Sequence, residues 1–91
     1  MQQLYLYEQD PGHGWLRVQR CELIRLGIDM NITAYSYQKG DMVFLDEDCD
    51  MSLFLTTKEA AGESFELHHT HVDTTRIRDY APYSPLSKVT L

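Results

Sequence analysis

Ninety-one residues, 43% of them hydrophobic, make one folded domain with a thin core rather than a disordered or multidomain chain. Fourteen acidic against eight basic residues leave a net charge of −6. That balance disfavours nucleic-acid binding, which depends on Lys and Arg releasing condensed counterions, and disfavours anionic membrane surfaces. Cys21 and Cys49 form no C-x-x-C pair, the first residues lack a basic segment followed by an apolar one, and no run reaches transmembrane length. The expectation is a cytoplasmic protein with free thiols and no membrane partner. A core this thin also predicts a homodimer.

Residues 3–8 (QLYLYE) carry aromatic and aliphatic side chains without a breaker and read as a strand. Asp10-Pro11-Gly12-His13-Gly14 follows with three backbone punctuators, and 15–18 (WLRV) resumes alternation, so the three pieces predict a hairpin. From Arg20 to Leu26 the period becomes helical. Cys21, Leu23, Ile24 and Ile28 fall on one side with Glu22 and Arg25 opposite, and Gly27-Ile28 matches a glycine-terminated helix end.

A third strand is expected over 33–38 (TAYSYQ), a turn at Lys39-Gly40-Asp41, and an interior strand at 42–45 (MVFL), which is apolar on both faces. Asp46, Glu47, Asp48 and Asp50 then precede a second helix running from Met51 to Gly62, where carboxylates meet the positive end of the helix. Residues 65–69 (FELHH) predict the last strand. The order β-β-α-β-β-α-β gives an α+β fold, a mostly antiparallel sheet with two short helices on one face. Residues 1–80 form the domain, and 81–91, with Pro82 and Pro85, read as a loosely held tail.

Four constellations could carry function. In the run His68-His69-Thr70-His71, His69 and His71 share a face of a strand, as an H-x-H metal pair requires, but clustered histidines alone set no geometry and elsewhere in the chain only His13 offers an imidazole. The expectation is therefore no metal and no cofactor. Asp46-x-Asp48-x-Asp50 imitates a calcium loop but has Met51 and Thr57 where that loop needs Gly and Glu. Cys21 falls on the apolar helix side and Cys49 among carboxylates that suppress its thiolate, and no nucleophile elbow or phosphate loop occurs, so no catalytic residue is assigned. The aromatics Tyr5, Tyr7, Trp15, Tyr35 and Tyr37 recur at two-residue spacing within their strands. A face carrying Trp15, Arg17, Tyr35 and Tyr37 suits either a ligand such as a nucleotide or a protein interface.

The segments DPGHGWL at 10–16, LGI at 26–28, YSYQKGDMV at 35–43 and LDEDCD at 45–50 resemble a family of small bacteriophage and prophage proteins. Gln19 stands where that pattern has proline, and Asp46 where it has glutamate. The resemblance implies a phage accessory protein in the bacterial cytoplasm and supplies no catalytic residue. A strand, a helix ending in Leu26-Gly27-Ile28 and the Gly40-Asp41-Met42-Val43 run also resemble AbrB-type swapped-hairpin dimers, which implies a dimer. The leading expectation is a non-enzymatic factor that binds a host protein, in one version an anti-defence protein. Asp46, Glu47, Asp48 and Asp50 would dock a basic surface. The alternative is a small-ligand or nucleotide module on the aromatic face. A metal-dependent activity at His69 and His71 comes third.

Overall fold

The computed structural model describes residues 3–86. Six strands, β1 (Gln3–Asp10), β2 (His13–Gln19), β3 (Tyr37–Lys39), β4 (Met42–Asp46), β5 (Phe65–His71) and β6 (Ala81–Pro82), form one sheet in the order β5-β1-β2-β4-β3-β6. Every neighbouring pair is antiparallel except β1 with β5. The helices are α1 (Arg20–Arg25) and α2 (Met51–Ala60), and short 3-10 helices occupy Asp29–Asn31 and Arg76–Asp79. This is the expected mostly antiparallel α+β fold, with a short sixth strand added at the far edge.

Strand alternation divides the apolar side chains into two layers. Tyr5, Tyr7, Leu16, Val18, Val43 and Leu45 face the helices and pack with Leu23 of α1, Phe54 of α2, Ile28 and Ile32. Trp15 and Phe44 emerge on the other face and are covered by Ile77, with Tyr37, Met42 and Tyr80 around them. Strand β4 is buried on both faces, which its unbroken apolar run foretold.

Both helices end in a Schellman turn. After α1, Ile28 donates its amide to Leu23 and Gly27 to Ile24, with Gly27 at φ +74°. After α2, Glu63 donates to Lys58 and Gly62 to Glu59, with Gly62 at φ +73°. Lys58 is 0% exposed. Its ammonium lies 2.8 Å from Glu22 and 2.9 Å from Glu63, which binds Arg25 in turn, so one buried cation ties α2 to α1. Burial alone would lower the Lys58 pKa, but hydrogen bonds to Glu22, Tyr5 and Glu63 outweigh it and hold the ammonium charged.

Three expectations need correction. The inward side of α1 is not Cys21 and Ile24, which are exposed, but Leu23 with Glu22, whose carboxylate is buried by pairing with Lys58 and Tyr5. A six-residue helix has too little length for periodicity to override such a pairing. The third strand covers only Tyr37–Lys39, because Thr33 to Ser36 turn around the Asp50 carboxylate. The expected tail at 81–91 starts too early. Residues 81–82 pair with β3, and Tyr83 is buried, its hydroxyl donating to the Asp29 carbonyl at 2.6 Å. Residues 87–91 of that tail lie outside the described residues.

Candidate functional site

The open face of the sheet carries the most promising site. Cross-strand pairing aligns Leu6, Arg17, Phe44 and Tyr37 in one row across β1, β2, β4 and β3. A second row runs through Glu8, Trp15 and Asp46. Such rows follow from period-two alternation once the register is set.

The segment after β5 returns over these rows and makes the opposite wall. Asp10, buried at the end of β1, anchors it. Its carboxylate accepts the amides of Gly12 (2.9 Å), His13 (3.0 Å) and Thr75 (3.2 Å) and pairs with the Arg78 guanidinium. Arg78 in turn lies over the Trp15 ring, 5.0 Å from its centroid. One carboxylate therefore fixes both the hairpin turn and the segment that brings Arg76, Ile77 and Tyr80 to the sheet.

Between segment and sheet lies a cavity of about 610 Å³, lined by Leu6, Glu8, Trp15, Arg17, Lys39, Met42, Phe44, Val72, Thr74, Arg76, Ile77 and Tyr80. That volume falls in the range of small-molecule sites. Three cations and one carboxylate line it, the reverse of the chain's overall charge. Arg17 and Arg76 make no ion pair among the described residues. Lys39 lies over the Tyr80 ring at 4.9 Å. Trp15, 3% exposed, has an indole Nε1 with no hydrogen-bond acceptor, the one such buried side-chain atom among the described residues. A buried donor without an acceptor is uncommon and costs stability.

The expected aromatic face is only partly assembled. Trp15, Arg17 and Tyr37 share the open face, with Trp15 and Tyr37 at 6.0 Å, edge to face. Tyr35 stands apart, 72% exposed in the turn before β3. Tyr5 and Tyr7 belong to the helix side. Lys39, Phe44, Arg76, Ile77 and Tyr80 were not anticipated as site residues. Phe44 was legible from the two-sided apolar strand. The wall around Arg76 had no such signal, because the Asp10–Arg78 pair that places it spans 68 positions.

The acidic run is mostly turned inward, which corrects the expected four-residue docking patch. Asp46 is buried and accepts the amides of Asp48 and Cys49. Glu47 is half-buried and accepts the Tyr7 hydroxyl at 2.6 Å. Asp50 occupies the N-cap position of α2 without capping it through its side chain. It accepts instead from Thr33 and Ser36. Asp48 alone of the four is largely exposed, its side chain 77% exposed and 3.8 Å from His13 Nδ1. Partial desolvation, then Asp46, Asp50 and Asp48, push the Cys49 thiol pKa up, so the thiolate is suppressed as the sequence suggested.

His69 and His71 do share a face, their rings stacked 5.7 Å apart and 10° from parallel, with His69 edge-on to Tyr7. His13 does not join them. It stands among Asp46, Glu47 and Asp48.

No family model, curated protein or solved structure matches the chain. No helix among the described residues is long and apolar enough to cross a membrane.

Proposed function

We propose that this protein is a non-enzymatic binding module whose open-face cavity takes a small anionic molecule with a flat apolar body, of the nucleotide class. The observation that carries this reading is the charge reversal: an acidic chain gathers Arg17, Lys39 and Arg76 around an aromatic and aliphatic cavity. Guanidinium groups suit phosphate oxygens, and Phe44, Met42, Ile77 and Tyr80 supply apolar surface for a ring. Sequestering such a molecule is a role for an accessory protein that needs no catalytic group.

Calorimetric titration tests it. An adenine or guanine mononucleotide binds more tightly than its nucleoside or inorganic phosphate alone. Arg17→Ala and Arg76→Ala each weaken binding, by about 10-fold if each loses a charge-assisted hydrogen bond of roughly 1.5 kcal/mol. Equal affinity for nucleoside and nucleotide would remove the cations from the account.

Docking to a host protein is the second reading. It is favoured by Leu4 and Leu6, 58% and 40% exposed on the open side of β1 next to the cavity. The acidic run contributes little to it, since Asp46 and Asp50 are buried.

A further inference from the structure

The sheet ends in two edges, and only one of them is blunted. Beyond β3 the last strand is β6, the short pair Ala81–Pro82, and Pro82 has no amide hydrogen to offer. At the opposite end β5 runs from Phe65 to His71, paired residue for residue with β1 without a bulge. It carries neither lysine nor proline, the usual guards against pairing with another chain.

One bond sets the direction of its backbone groups. Val72, directly after β5, donates its amide to the Gln9 carbonyl at 2.9 Å. Backbone groups alternate along an extended strand. Glu66, His68 and Thr70 therefore turn theirs toward β1, and Leu67, His69 and His71 turn theirs outward past the edge. Side chains alternate as well. Glu66 and His68 are exposed beside Leu4 and Leu6 on the open face, and the half-buried Leu67 lies beside Tyr5 on the helix side.

Two copies related by a twofold axis join such edges antiparallel, about a residue that faces its own copy. A centre at Glu66 sets one glutamate against the other, and a centre at His68 sets histidine against histidine with Glu66 opposite Thr70. A centre at Leu67 places Glu66 opposite His68 on both sides of the axis. An imidazole N–H donates to a carboxylate in the neutral and the protonated ring alike. Leu67 then meets its own copy, and the two outward-facing backbones exchange both of their hydrogen bonds. Of the three registers this one is complementary in charge.

We propose that β5 is a strand-pairing edge for a second copy of this chain, centred on Leu67, so that two sheets join into one and Glu66 of each protomer meets His68 of the other. No residue of β5 lines the open-face cavity, so pairing here does not depend on what the cavity holds. The interface is small, which places the association in the micromolar range.

Sedimentation equilibrium, native mass spectrometry and hydrogen exchange test it. Wild type dimerises, and the Leu67 amide exchanges more slowly as concentration rises through the Kd. Glu66→Lys and His68→Glu, both at exposed positions, each weaken the homodimer by about 10-fold or more, since each replaces two complementary pairs by two mismatched ones. Mixed in equal amounts, the two variants form a heterodimer in preference to either homodimer, because the introduced lysine faces the introduced glutamate. That preference arises across chains and in this register, which an effect on folding would not reproduce. The proposal is overturned by a wild type that stays monomeric to millimolar concentration, by single variants that dimerise as wild type does, or by a statistical mixture of homodimers and heterodimers. A dimer in which Leu67 exchange does not change with concentration overturns it too, because another surface then holds the copies together.

Discussion

Replacing Gly14 with alanine probes the packing that ties the first hairpin to the turn after β4. A Cβ at this position would sit 2.1 Å from the Tyr7 hydroxyl oxygen, 2.5 Å from its Cζ and 3.1 Å from its Cε1. Real carbon atoms do not approach that closely, so Tyr7 must move. Tyr7 is buried and its hydroxyl holds Glu47 at 2.6 Å. Overpacking costs about 1–3 kcal/mol, and loss of a hydrogen bond to a charged group costs roughly a further 1.5–3 kcal/mol. The sum is about 2.5–6 kcal/mol, which at roughly 4–8 °C per kcal/mol lowers Tm by on the order of 10–50 °C for a domain of this size. Urea and thermal melts measure it. Because the cost arises at one contact, Gly14→Ala made in a Tyr7→Leu background should cost less than about 1 kcal/mol more than Tyr7→Leu alone. A Gly14→Ala variant within about 0.5 kcal/mol of wild type, or equal losses in both backgrounds, would refute the close-approach reasoning.

Asp50→Ala is expected to cost about 2–4 kcal/mol, more than the roughly 1 kcal/mol of a simple helix cap, because Thr33 and Ser36 lose a charged acceptor, and Asp48→Ala should be nearly silent; chemical denaturation of the two variants checks this. Glu63 is held near a pKa of about 2, first by Arg25 and then by Lys58, against an ordinary 4.5. Its folded-state pKa is depressed, so its contribution is present above pH 4.5 and is lost as pH falls toward about 2. Acid titrations monitored by circular dichroism should therefore show Glu63→Gln flattening the stability loss across that window. Tyr83→Ala should cost about 3–5 kcal/mol as a buried aromatic, whereas a loosely held tail would make it silent. Exposed Leu4 and Leu6 beside a thin core predict a dimer at micromolar concentration, and a monomer mass by light scattering would remove that expectation.

Local chemistry made much of the fold legible. Gly27 announced the end of α1, the Met42–Leu45 run announced a strand covered on both sides, and the punctuated 10–14 stretch announced the hairpin. What escaped was decided by partners distant in sequence. Glu22 turns inward because Lys58 waits for it 36 positions away, which no helical periodicity encodes. Asp50 leaves the helix it precedes to hold Thr33 and Ser36. Tyr83 is buried because β6 finds the edge of β3. At the cavity, Trp15 and Arg17 were visible as a strand pair, but Arg76 and Tyr80 reach it only through the Asp10–Arg78 anchor. His13, in the glycine-rich stretch that opens β2, gave no sign of whether it would join the other histidines or the acidic run.

The most direct test of the central claim uses Trp15, the one tryptophan of the chain, as a reporter inside the cavity. Its indole N–H gives a single side-chain signal in a nitrogen–proton correlation spectrum and finds no acceptor among the described residues. Addition of a mononucleotide is expected to shift that signal in a saturable manner, together with the backbone amides of Arg17 and Phe44, and Arg17→Ala should move the midpoint to higher concentration. An indole signal and Arg17 and Phe44 amides that stay fixed through millimolar nucleotide would contradict the cavity as a binding site.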